Sequence, residues 1–317
     1  MREKTIKIAI IILALFVAAG LIAIGFSSGA FNGLSCAGGG EAVDESLPLV
    51  PKMPVKGQLS VYFIDVGQGN AALLVSPGGK TMLIDAGESI YASRVEKFIK
   101  QIGIKSLDVV IGTHSHSDHI GAMPRIIRDL KVSSYYTTAL NVESVYSASV
   151  DAALEEKGVN SSPLWSGDSV PWDENCSVTV LSPVIGCEYS KTDANDGCLM
   201  LRIEYGETAL LITADATAHA EQLSMFHNER ELFEANLLLV AHHGSTTSST
   251  LGFIETVGGE TAVISVGAKN PYGHPDFDIL NRLKGAGYTV LRTDELGSIA
   301  AFSDGKTLEL AFQKPKE

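Results

Sequence analysis

Short apolar runs recur along most of the chain, and stretches of helical periodicity separate them. From residue 58 the alternation predicts strands at 59–66, 71–75 and 81–84, joined by turns at Gly67-Gln68-Gly69 and Pro77-Gly78-Gly79. A helix is expected at 91–101, then a strand at 107–111 that runs straight into a histidine cluster. Helices at 123–130 and 142–157 follow, then strands at 177–181, 199–205 and 209–212 and a helix at 218–227. Strand 237–240 ends in a second pair of histidines. Beyond it the pattern gives helix 250–257, strand 262–266, helix 277–286, strand 289–291 and a hairpin of 298–302 with 308–312. Two groups of strands, each followed by helices, predict an α+β fold of packed sheets covered by helices. No fixed-period repeat is present. Gly67-Gln68-Gly69-Asn70 does not precede a helix, so it reads as a hairpin turn rather than a phosphate cradle.

The apolar pattern differs at the N-terminus. Residues 8–26 are almost unbroken apolar and uncharged, with Arg2, Lys4 and Lys7 before them. About twenty such residues cross a bilayer as a helix, and a basic flank stays cytoplasmic. Residues 1–28 are therefore expected to be a signal-anchor or transmembrane segment. The catalytic domain is then membrane-anchored and extracytoplasmic. Three fates stay open: an uncleaved anchor, a lipoprotein joined at Cys36 of Gly33-Leu34-Ser35-Cys36, or a cleaved signal. All three export the remainder. Residues 29–57 are rich in Gly, Ser, Pro and Ala and read as a flexible linker, leaving 58–317 as the folded domain.

Charge narrows the partners. The formal net charge is −13, and without residues 1–40 the remainder holds 21 Lys+Arg against 36 Asp+Glu, a net −15. Such a surface repels polyanions unless a basic groove or a metal reverses the field locally, which counts against strong nonspecific nucleic-acid binding. It does not exclude a small or metal-bridged phosphoester. Of four cysteines, Cys36, Cys176, Cys187 and Cys198, no two form a CxxC pair, so no structural zinc knot is expected. Outside the cell Cys176 and Cys187 either bridge or stay free.

The densest chemistry is Thr113-His114-Ser115-His116-Ser117-Asp118-His119. Three of the chain's eight histidines lie within six positions. A loop can turn His114 and His116 toward one cation and leave Asp118 and His119 for a second. Asp215, at the end of an apolar strand, is costly to bury unless paired or metal-bound. It bridges both ions or caps the following helix. At Val240-Ala241-His242-His243-Gly244-Ser245, one histidine is expected to complete the second metal and the other to meet substrate. Asp85, also at a strand end, suits a role orienting a ligand imidazole.

These motifs resemble the metallo-β-lactamase superfamily, which has a strand-borne Asp, then HxHxDH, a later bridging Asp and a final His. Asp85, the 114–119 cluster, Asp215 and His242/His243 stand in that order. Phe63-Ile64-Asp65-Val66-Gly67-Gln68-Gly69-Asn70, Leu83-Ile84-Asp85-Ala86-Gly87, Ala241-His242-His243-Gly244-Ser245 and Tyr272-Gly273-His274-Pro275 look more specifically like the hydrolase domain of ComEC-type competence proteins. So does the stretch from Arg292-Thr293-Asp294 to Gly297. The resemblance implies a four-layer αββα sandwich, two divalent ions (zinc or manganese) and a metal-activated water. It points to a phosphodiester, nuclease-like substrate. Hydrolysis of a lactone, β-lactam or small ester, and an inactive metal-binding module, are the alternatives. It also implies that His274 faces the site and holds a leaving oxygen. Asp118, Asp85 and His274 are the expected catalytic residues.

Three departures stand out. The superfamily's third histidine on the first metal is missing from Asp193-Ala194-Asn195-Asp196-Gly197-Cys198-Leu199, where the resemblance implies that Asn195 or Asp196 takes its place. Ala214 stands where the family commonly has Gly. One apolar run cannot conduct DNA, so a transport role does not carry over.

Overall fold

The structure is a computed structural model and describes residues 49–314. The apolar run at 8–26 and Cys36 lie outside the described residues. No helix among the described residues is long and apolar enough to cross a membrane.

Two mixed sheets form the centre. The first has eight strands in the order β14-β13-β1-β2-β3-β4-β5-β6. These are β1 Leu59–Phe63, β2 Ala72–Val75, β3 Thr81–Ile84, β4 Ser106–Gly112, β5 Lys131–Thr138, β6 Ser161–Leu164, β13 Ile299–Ser303 and β14 Leu308–Phe312. The second has six, in the order β12-β11-β10-β9-β8-β7. They are β7 Ser177–Ser182, β8 Met200–Tyr205, β9 Thr208–Ile212, β10 Leu237–Leu239, β11 Thr261–Ile264 and β12 Thr289–Arg292.

The period-2 rule shows why the sheets stack. In β4, Val109 and Ile111 point into an apolar layer shared with β9's Leu210 and Ile212, while Val110 faces the opposite way. On that outer side lie α1 Ala92–Gln101, α3 Met123–Asp129 and α4 Val145–Lys157, contributing Phe98, Ile126 and Leu154. In β9, Ala209 and Leu211 face a third layer with Phe253 and Leu283 of α6 Leu251–Val257 and α7 Phe277–Gly285. A strand apolar on both faces must be covered on both. The result is helix, sheet, sheet, helix, the αββα sandwich expected. Short α2 Ser117–Ile120, α5 Ala218–His227 and α8 Thr293–Leu296 complete the helices used below.

Two sequence expectations change, and one left open is decided. Strands β5 and β6 were not foreseen: β5, KVSSYYTT, lacks a long apolar run, and β6 contains Pro163. Proline is tolerated there because β6 is the edge of its sheet. The last part of the expected linker is docked: Val50 is buried in the first sheet's core, and Lys52 pairs with Glu309 at 2.7 Å. Cys176 and Cys187 are both free thiols.

The parallel strands β3-β4 and β9-β10-β11 end on one rim. Loops leaving the carboxyl ends of parallel strands are where α/β sheets bind ligands.

Candidate metal centre

Asp85 follows β3, the 114–119 cluster follows β4, Asp215 follows β9, and His242 with His243 follows β10. The backbone bends sharply after β3, β9 and β10: Asp85, Ala214, His242 and His243 all adopt positive φ, from 45° to 56°. Non-glycine residues rarely take this left-handed region, and strain of this kind gathers at functional sites. Ala214 therefore keeps the glycine-like turn at the cost of a strained Cβ. The turn at Gly69 also serves this loop. A side chain at Gly69 would collide with the carbonyl oxygen of Asp118, to which Asn70 N donates at 3.0 Å.

Two groups of donors converge. Asp118, His119, Asp215 and His243 form one, and His114, His116 and Asp215 the other. Asp215 belongs to both because its oxygens point to different sides. Oδ1 lies 3.0 Å from His119 Nε2 and 3.7 Å from His243 Nε2. Oδ2 lies 3.9 Å from His114 Nε2 and 3.7 Å from His242 Nε2. Helix α5 is capped instead by Thr217, whose hydroxyl accepts from Ala220 N. His243 thus sits with Asp118 and His119, 3.1 Å from Asp118 Oδ2, and its Nδ1 faces the Ser265 carbonyl at 2.8 Å. His242 sits on the other side, with Nδ1 2.9 Å from the Thr247 hydroxyl and Nε2 3.5 Å from Asn195 Nδ2.

Asn195 and Asp196 separate. Asn195 lines the cleft, and its Oδ1 is buried without a partner. Asp196 is turned away, which corrects its expected place at a metal. Its Oδ1 accepts from Thr217 Oγ1 at 2.6 Å, its Oδ2 from Ser190 N at 2.8 Å, and His219 Nδ1 lies 3.0 Å away. Asp85 lies behind the ligands. It accepts from Thr113 N and Thr113 Oγ1, and its Oδ2 is 2.7 Å from His119 Nδ1. That is an orienting position, without contact to the cleft. His274 lines the cleft, stacks on Tyr272 and keeps its Nδ1 buried and unpartnered. Arg292 is held by Asp294 and Glu295 and does not line the cleft.

The electrostatics suit a bound cation. Burial works against ionising Asp215, yet the His119 and His243 imidazoles hold its carboxyl well below the usual range. Burial likewise opposes protonation of His119, but the Asp215, Asp85 and Asp118 carboxylates raise its pKa well above the ordinary imidazole value. His114 is pushed well below that value by burial and by neighbouring His119. Three carboxylates around one imidazole are an excess of negative charge that a metal would neutralise. His119 Nε2 and Asp215 Oδ1 are both sealed from solvent and, though 3.0 Å apart, are not aligned for a hydrogen bond. Buried polar atoms left so are rare unless a ligand meets them. The residues present fit a pair of divalent ions.

A family model for the metallo-beta-lactamase superfamily matches residues 64–268. The chain belongs to the metallo-beta-lactamase superfamily. Its members bind divalent metals, typically zinc. Within the superfamily the chain is similar to competence proteins. It is 32% identical to ComE operon protein 3 of Bacillus subtilis, over 79% of this chain and 34% of that protein. It is 27% identical to competence protein ComA of Neisseria gonorrhoeae, over 78% and 33%. Recombination protein 2 of Haemophilus influenzae is 28% identical, over 74% and 28%. The chain spans about a third of the length of these curated relatives. The solved metallo hydrolase Igni18 of Ignicoccus hospitalis shares the fold, with a TM-score of 0.51 at 16% identity over 77% of this chain and 98% of that one.

Sequence reasoning missed the residues that shape the cleft. Gln68, Ser144, Tyr146 and Tyr272 line a cavity of about 380 Å³ beside the donors. Thr113 carried a signal, since it immediately precedes the cluster. Tyr146 carried none.

Proposed function

We propose that this protein is a two-metal hydrolase of phosphodiesters, held outside the cell membrane by its apolar N-terminal run. The observation that carries the reading is Asp215, a single buried carboxylate offering one oxygen to each donor group. His114, His116 and Asp215 Oδ2 would hold a first ion beside Asn195. Asp118, His119, His243 and Asp215 Oδ1 would hold a second. Divalent ions held there would supply Lewis-acid polarisation of a phosphoryl group and acidify a water near neutral pH.

The chain's own residues supply orientation. Asp118 reaches the cleft, and His119 and His243 keep its carboxyl below the usual range despite burial, so it accepts a hydrogen bond from water. His274, on the cleft wall beside His242, donates an N–H to the leaving oxygen. Among the described residues, those lining the cleft include no Lys or Arg, so a bound phosphate depends on the metals for countercharge. An Asn in place of a third imidazole makes the first site harder, which suits manganese as well as zinc. Relatives named for competence and recombination favour nucleic-acid phosphodiesters, and the net charge favours a selectively bound strand over loose contact.

The test is a panel of bis-p-nitrophenyl phosphate, single-stranded DNA and nitrocefin with zinc or manganese. Turnover of the two phosphodiesters, lost in a folded His116→Ala variant, is expected. Turnover of nitrocefin alone, or bound metal with no turnover, overturns the reading.

A further inference from the structure

One buried carboxylate is not used by this chemistry. Glu221, on α5, is wholly shielded from solvent. Its Oε1 accepts from Ser249 N at 2.5 Å and its Oε2 from Thr250 N at 2.9 Å. Those amides close the segment 245–250, which links the histidine pair to α6. Ser249 is in the left-handed region at φ 51°, so a serine is held where the backbone alone would not hold it. Within the segment, the Thr247 carbonyl accepts from Ala218 N at 2.9 Å, and the Thr247 hydroxyl faces His242 Nδ1 at 2.9 Å.

We propose that Glu221 is a positioning residue whose carboxylate latches the 245–250 segment and thereby sets the imidazole of His242 at the metal cleft. The latch needs both oxygens as acceptors, and a neutral carboxyl would turn one of them into a donor facing an N–H. Burial raises the Glu221 carboxyl to about 7, against the lowering pull of the two amides and of Arg282. Arg282 of α7 is the charged group acting on it among the described residues, and it also donates to the Ser249 carbonyl at 3.3 Å. Asp276, ahead of α7, takes Thr246 N at 3.0 Å from the other side. The latch is therefore closed above neutrality and released below it.

The inference rests on the metal-centre reading only through His242, and its first readout needs no catalysis. Hydrogen exchange of the full chain at pH 8 and pH 6, corrected for intrinsic rates, should show Ser249 and Thr250 losing protection at the lower pH. One unit below its pKa only about a tenth of a carboxyl group stays ionised, so the loss should approach tenfold. In Glu221→Gln the two amides should be poorly protected at both values, and the imidazole NMR resonances of His242 should shift at pH 8 as its Thr247 contact loosens. Equal pH dependence in both proteins overturns the latch. Unchanged imidazole resonances overturn the link to His242. Should the variant not fold, wild-type protein suffices: protection at Ser249 and Thr250 that does not change relative to β10 between the two pH values overturns the proposal.

Discussion

Asp85 Oδ2 lies 2.7 Å from His119 Nδ1, and this contact decides which imidazole nitrogen is left for Asp215. The carboxylate accepts a hydrogen bond from Nδ1–H, so that Nε2 is the nitrogen whose lone pair is freed toward the donor group once the ring gives up its second proton. Asn is the informative replacement, because it tolerates the positive φ found at this position. In Asp85→Asn the amide N–H₂ would donate to Nδ1 and reverse the tautomer. Affinity for the second metal should fall about 10- to 100-fold with the fold retained, as read by competition with a metal chelator dye.

Replacing Asp215 should affect both ions. Asp215→Ala should reduce bound metal from two equivalents to at most one, by elemental analysis. In metal-free protein it should also destabilise by about 3–5 kcal/mol, because it leaves the buried His119 charge without its main partner. Two equivalents retained would remove the bridging role.

Metal uptake should release protons. His243, like His119, has a raised pKa: burial opposes it, while Asp215 and Asp118 raise it. Metal has to displace ring protons that these carboxylates hold more tightly, so apparent affinity should rise with pH above the ordinary imidazole value of about 6.5. Titrations in two buffers of different ionisation enthalpy should report net proton release. The same shifts set stability without metal. The histidine contribution is complete below about 6.5 and is lost as pH climbs through the raised folded pKa values. The contribution of Asp118 and Asp215, both lowered, is present above their ordinary range and is lost as pH falls through the folded values.

Asn195→His should restore a third imidazole to the first site. Zinc should then gain on manganese by about tenfold or more in competition, while Asp196→Ala, whose side chain is turned away to Thr217, Ser190 and His219, should leave that ratio unchanged.

His274→Ala should leave two metals bound and lower kcat by about 100-fold, the scale of a lost hydrogen-bond donor to developing charge, since burial and neighbouring His242 lower its pKa and favour the neutral ring. Equal loss of metal would make it a structural residue instead.

The ligand set was legible because each donor follows an apolar strand, and strand ends on one rim can only converge. Which of two neighbours faces inward was not legible. His242 and His243 diverge because both are left-handed, and Asp196 turns outward because Thr217, Ser190 and His219 capture it. Those partners are twenty or so residues away or depend on local rotamers, and no spacing encodes them. Helices and central strands were legible through periodicity. β5 was not, since its burial comes from pairing between β4 and β6 rather than from an apolar run of its own.

Asp85 and the 114–119 cluster belong to the larger sheet, whereas Asp215 and the 242–243 pair belong to the smaller one. Any ion bound among them fastens the two halves of the sandwich to each other. Ligand that binds only the folded state raises its stability by mass action, and here that gain falls on the joint between sheets. Stripping the metal therefore loosens the molecule first where its halves meet, and the purification history of a sample sets its rigidity as much as its activity.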